Sequence, residues 1–272
     1  VRRRAVLAAA ALLAAGPVRR AGAAIPLELR GGLTQGGLVF ARAPAGTRAW
    51  LDGRALRVGA DGRFVFGFGR DHDAEAELAL APADGPMATR RLAIARRAWD
   101  IQRIDGLPPR MVEPGEAELA RIKADNAAIA AARARHTPDP LWDTDWIWPA
   151  TGPISGVFGS QRILNGQPRR PHFGVDIAMP TGTPVVAPAP GIVSLAVPDM
   201  YFTGGTLMLD HGHGVASLYA HLSAIDVPQG RRVAKGERIA AIGATGRVTG
   251  AHLHWGMTWQ SVQVDPALLV AR

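Results

Sequence analysis

His172 and Asp176 stand four residues apart in His172-Phe173-Gly174-Val175-Asp176, and His252 and His254 stand two apart in His252-Leu253-His254. On an extended strand, both spacings place the paired side chains on one face. Imidazole nitrogen and carboxylate oxygen are good zinc ligands, and a hydrolytic zinc site takes three protein ligands and leaves a fourth position for water. His172, Asp176 and one of His252 or His254 supply three such ligands. The other member of that pair remains, with His221 in Tyr219-Ala220-His221-Leu222-Ser223, for moving a proton and stabilising a developing oxyanion. Either spacing alone is common by chance. Together, in a stretch holding six of the eight histidines, they make a full catalytic set. The chain has no cysteine, which excludes disulfides, thiol nucleophiles, iron–sulfur clusters and every Cys-ligated zinc site.

Other residues compete for attention and are read more plainly. His211 and His213 repeat the two-residue spacing in Asp210-His211-Gly212-His213-Gly214, but the flanking glycines suit a tight hairpin. Asp71-His72-Asp73 lacks further ligands nearby and reads as a polar turn. Tyr201 reads as packing, with a place on a cleft rim as the alternative, and Arg162 reads equally as solvated or as facing an acidic substrate group. Trp142, Trp146 and Trp148 read as packing anchors. Gly182, Gly191, Gly236, Gly243 and Gly246 read as turn residues, since a phosphate cradle would need a following helix.

The elements that must position these residues are mostly strands. Between residues 25 and 112, short alternating or apolar runs such as Gly62 to Phe68 and Ala76 to Ala81 are separated by turn signals, Asp52-Gly53 and Asp61-Gly62 among them. This predicts a small β-sandwich-like domain. Residues 113–148 read as a helix and linker. Pro114 sits at its start, Glu116 and Glu118 fill the first turn and Arg133 and Arg135 the last, which suits the helix dipole, and Thr137-Pro138-Asp139-Pro140 stops it. Residues 149–272 return to strands, with candidates at Pro184 to Ala187, Gly191 to Leu195, Thr206 to Asp210, Ala216 to Tyr219 and Arg238 to Ile242. The expected fold is dominated by β-structure, with a mostly antiparallel sheet as the C-terminal domain that carries the histidines.

The 272 residues are 47% hydrophobic and 20% charged, enough for a core and wrong for a disordered chain. Arg2, Arg3 and Arg4 precede an apolar run from Ala5 to Ala15, and Ala21-Gly22-Ala23 follows as a small-residue cleavage site. That layout predicts a signal peptide over residues 1–24, read by the general secretory or the twin-arginine route, and a periplasmic or cell-envelope destination. The run is too short to span a bilayer and no later stretch is long enough, so no membrane span is expected in the mature chain. Five arginines lie in this leader without an acid, so the net charge of +8 falls to +3 beyond it. No basic stripe remains to bind nucleic acid.

The stretches PHFGVDIAMPTGTPVVAPAPGIV, LDHGHGVASLYAHLS, VAKGERIAAIGATGRVTG and AHLHWG resemble the M23 peptidase family, the LytM- and lysostaphin-like zinc endopeptidases of peptidoglycan. The resemblance covers about residues 149 to 268 and keeps the order and spacing of every motif. The preceding DGRFVFGFGRD and RRAWDIQRIDGLP resemble, less specifically, the N-terminal region of exported members. The resemblance implies that His172, Asp176 and His254 ligate zinc, that His252 is the catalytic base, and that His221 orients water or stabilises the oxyanion. It implies peptide cross-links of peptidoglycan as substrate and leaves room for a regulatory protein partner, and the style of the export signal sets a D,D-endopeptidase ahead of a glycyl-glycine one. A non-catalytic peptidoglycan- or partner-binding regulator is the alternative. Such a regulator need not keep all five residues.

Overall fold

A computed structural model describes residues 25–104, 116–164 and 166–270. The expected signal peptide lies outside the described residues. The N-terminal strands are β1 (Glu28–Gly31), β2 (Leu38–Arg42), β3 (Arg48–Leu51), β4 (Arg54–Leu56), β5 (Arg63–Gly67), β6 (Glu75–Ala81), β7 (Ala88–Ala93) and β8 (Ile101–Ile104). They form a three-stranded sheet in the order β1-β2-β5 and a four-stranded sheet in the order β4-β3-β6-β7. Asp52-Gly53 makes the turn of the β3–β4 hairpin, both residues at positive φ, as a two-residue turn of this kind requires. Helix α1 (Glu116–Arg133) follows, inside the span predicted for it.

The C-terminal strands are β9 (Ile154–Gly156), β10 (Gln161–Leu164), β11 (Gln167–Pro168), β12 (Val175–Ile177), β13 (Pro184–Val186), β14 (Gly191–Met200), β15 (Gly204–Gly212), β16 (Val215–Ile225), β17 (Arg232–Val233), β18 (Arg238–Ile242), β19 (Leu253–Trp259) and β20 (Val262–Val264). A ten-stranded antiparallel sheet runs β17-β14-β15-β16-β19-β12-β9, with β18 on β16, β13 on β18 and β20 on β19. Alternation divides its faces. Leu207, Tyr219, Leu253, Trp255 and Met257 face the main core. Met208, Ala216, Leu218 and Ala220 face the other way and receive Ala128, Ile129 and Ala132 of α1. The strand register sets Asp176 opposite His254, and His254 opposite Ala220. The metal-type residues therefore share the face on which α1 lies.

The two small sheets and the large sheet share one contiguous core. Phe40 of β2 stacks on the buried Trp142 with ring centroids 5.4 Å apart. Arg97 pairs at 2.8 Å with the buried Asp265. The units expected at 25–112 and 149–272 also share a third sheet, in which β8 runs parallel to β10, itself antiparallel to β11.

Candidate metal centre

His172 Nε2, Asp176 Oδ1 and His254 Nδ1 form a nearly equilateral triangle with sides of 3.0, 2.8 and 3.0 Å. Three polar atoms in a triangle cannot all be joined by straight hydrogen bonds, because each N–H points along one line. A cation above the triangle removes that conflict. A tetrahedral zinc ion with bonds of about 2.0–2.1 Å needs ligand-to-ligand edges of about 3.3 Å, close to those found. Two imidazoles and one carboxylate, each partly shielded from water, are a suitable donor set, and no other cluster of this kind occurs among the described residues.

The tautomers agree with that fit. His172 Nδ1 lies 3.1 Å from the Val157 carbonyl, which can only accept, so the ring donates there and turns the lone pair of Nε2 inward. Burial acts to raise the Asp176 carboxyl, but hydrogen bonds and charge from His172 and His254 outweigh it and hold the group well below the usual carboxylate range. His254 is pushed down by burial, against the opposing pull of Asp176.

Asp176 is on β12 and His254 on β19, but His172 is not on a strand with Asp176. It sits in the loop before β12, held by His172 N–H to Ser160 O at 2.8 Å and Gly159 N–H to His172 O at 2.8 Å. The same-face reading of the four-residue spacing thus reached the right neighbours by the wrong local geometry. Gly174 breaks the strand between them. A Cβ there would lie 2.6 Å from His254 Cε1 and 2.6 Å from the Trp255 carbonyl oxygen, so the ring of His254 packs directly on the glycine backbone. Gly156 is packed in the same way by the Asp176 carboxylate. Sequence reasoning missed both; the only signal was a glycine inside the first motif.

His221 and His252 flank the triangle. Their ring centroids are 4.7 Å apart, His221 lies 6.3 Å from His254, and His252 Nε2 is 4.0 Å from Asp176 Oδ1. His252 Nδ1 donates to Gly250 O and His221 Nδ1 to Thr245 O, each at 2.9 Å, which leaves both Nε2 atoms as acceptors. Burial pushes His221 down to about 4; the Thr245 carbonyl and Asp176 pull it up, while His252 and His254 add to the fall. His221 also has φ +64 within β16, next to irregular pairing, and its N–H reaches Thr203 O at 2.8 Å. A non-glycine residue in this left-handed region costs on the order of 1 kcal/mol, and such strain collects at functional sites.

The remaining candidates are not part of the triangle. His211 is fully buried, with Nδ1 donating to Pro190 O at 2.6 Å and Nε2 accepting from Ser217 Oγ at 2.7 Å. His213 occupies the β15–β16 turn at φ +51 and meets Pro138 O. His72 contacts Asp52 and the Asp73 carbonyl. Trp146 is buried against His211, and Trp148 packs edge-on to Trp255. Tyr201 N–H donates to Asp125 of α1, and its ring packs against Phe202. Arg162 lies on β10.

The sequence profile described as Peptidase family M23 matches residues 170–266, which include all five site residues. A crystal structure assigned to peptidase M23 from Pseudomonas aeruginosa has a TM-score of 0.68 and 30% identity, covering 87% of this chain and 94% of that one. Two curated relatives are similar over part of the chain. Peptidoglycan DD-endopeptidase ShyA of Vibrio cholerae is 45% identical over 103 residues, 38% of this chain and 24% of that protein. DD-carboxypeptidase/endopeptidase Mpg of Neisseria meningitidis is 43% identical over 113 residues, 42% of this chain and 26% of that protein. The chain thus spans about a quarter of the length of these curated relatives. Given its motifs, its β-fold and its His-Asp-His cluster, the chain belongs to peptidase family M23.

Proposed function

We propose that the chain is a zinc metalloendopeptidase that hydrolyses peptide cross-links of peptidoglycan in the cell envelope. The observation that carries this reading is the His172–Asp176–His254 triangle flanked by two imidazoles whose Nε2 atoms are free to accept. A zinc ion held by the three ligands would act as a Lewis acid toward a peptide carbonyl and lower the pKa of water to about 7. His252 accepts a proton at Nε2, since its Nδ1–H is fixed on Gly250 O, and can return it to the leaving amine. His221, kept neutral by burial and oriented by Thr245 O, accepts a hydrogen bond at Nε2 and aligns the attacking water.

The relatives named as a peptidoglycan DD-endopeptidase and as a DD-carboxypeptidase/endopeptidase support the substrate, and a D,D cross-link is favoured over a glycyl-glycine one. Export by a signal peptide over residues 1–24 would bring the chain to that substrate. No helix among the described residues is long and apolar enough to cross a membrane. The test is digestion of purified sacculi followed by mass analysis of muropeptides, with parallel samples in chelator, with zinc restored, and with His254→Ala. Zinc-dependent loss of cross-linked dimers, absent in the variant, is the expected result. Dimers left intact by folded, zinc-loaded protein would overturn the reading in favour of a binding regulator.

A further inference from the structure

Helix α1 and the loop leading to His172 both pack on the sheet face that carries the metal-type residues. Ala132 packs into the cluster containing Leu218 and Ala220, and Ala220 is directly opposite His254 in register. The Phe173 carbonyl lies over Gly256, 3.0 Å from where a Cβ would stand, with Leu218 alongside. Arg133, one residue beyond Ala132, is close enough to feel the charge of Arg170, which stands two residues before His172.

Among the described residues, neither cation has an acid as an ion-pair partner. None of the ion pairs among the described residues involves Arg133, Arg169 or Arg170. The Nε atoms of Arg133 and Arg169 are shielded from solvent and have no hydrogen-bond partner. Most other arginines near the core are matched: Arg63 has Asp61 and Asp143, Arg97 has Asp265, and Arg70 has Gly159 O and Asp71. Burial, with repulsion from Arg170 added, pushes Arg133 down to about 10. An unpaired, half-buried guanidinium is costly, and a planar anion offering two oxygens relieves it best. Arg170 also lies over the Phe173 ring at 5.3 Å, which orients it.

We propose that Arg133 and Arg170 form a subsite for a free carboxylate of the peptide substrate, next to the bond to be cut. The proposal rests on the peptidase reading for its ligand class. Arg133 lies outside the residues matched to the family and comes from α1, which gives the helix a part in substrate selection.

The experiment titrates the full chain with an uncross-linked stem tetrapeptide bearing its free carboxylates, and with the same peptide fully amidated. Wild-type protein should bind the free form at least about tenfold more tightly, as expected for a charge-assisted pair. Arg133→Gln and Arg170→Gln should each bring the two forms within about twofold, and added salt should narrow the wild-type difference. Circular dichroism checks folding. If Arg133→Gln does not fold, the exposed Arg170→Gln decides. Equal binding of both peptides by wild type, no binding of either, or a preference kept by both variants overturns the subsite. Failure of sacculus cleavage would instead overturn the peptidase reading, and this titration would still read the carboxylate preference.

Discussion

At the scale of single residues, the centre depends on which atom of each imidazole is already occupied. Carbonyls of Val157, Thr245 and Gly250 each hold one Nδ1–H and so aim Nε2 of His172, His221 and His252 at the site. His254→Ala should lower bound zinc from one equivalent to less than about a tenth, measured on dialysed protein, because a ligand is lost outright. His221→Asn should keep the metal, since Asn tolerates a left-handed backbone. Its kcat on cross-linked muropeptides should fall by about 10²–10⁴. Equal metal loss in both variants would sink that division of roles. Gly174→Ala should weaken zinc binding by about 10–100-fold in a chelator competition, because a methyl there displaces the ring of His254.

At the scale of elements, the β15–β16 hairpin is the support of the site. Its end contains a buried chain in which Tyr219 and Ser217 are 2.8 Å apart, Ser217 donates to His211, and His211 donates to the Pro190 carbonyl. Burial pushes His211 down to about 4, with the Pro190 carbonyl and Asp210 opposing. In the unfolded chain this histidine protonates near its ordinary 6.5. Between those values the unfolded state binds more protons, so stability is complete above about 6.5 and is lost as pH falls toward about 4. The loss should reach up to about 3 kcal/mol. Urea unfolding at pH 7 and pH 4.5 should show it, and His211→Gln should flatten the difference while lowering stability at pH 7. An unchanged slope in the variant would assign the acid sensitivity elsewhere. Helix α1 has a different character. It is rich in alanine, buries chiefly Ala132, and is tied down by Arg121 to Asp199 and by Asp125 to the Tyr201 N–H, both at 2.8 Å.

At the scale of the whole molecule, the shared core argues that the N-terminal sheets and the large sheet unfold together. The Trp142 ring contacts both, stacking on Phe40 on one side and meeting the His213 ring edge-on at 5.6 Å on the other, while its backbone N–H donates to His211 O. Trp142→Ala should cost about 3–5 kcal/mol. Calorimetry should show one transition shifted as a unit; two separating transitions would contradict a single cooperative core.

The strand-rich character, the position of the helix and the ligand-type histidines were legible in the sequence, because alternation, turn residues and residue chemistry are local properties. Gly62 to Phe68 announced β5 as an apolar run, buried at successive residues, and Ala76 to Ala81 announced β6 by alternation, seen as period-two burial. Short strands escaped notice: β9 and β17 have too few residues to show a period, and they exist because they pair at the two ends of the large sheet. The loop geometry of His172, the left-handed backbone of His221 and the close packing of His254 on Gly174 also depend on partners far away in the chain. The sequence by itself determined which groups are present and that one region holds them. Only the tertiary structure decided which nitrogen of each ring faces inward and which arginines lack an acid. Those outcomes follow from distances between strands and loops that local propensity does not set.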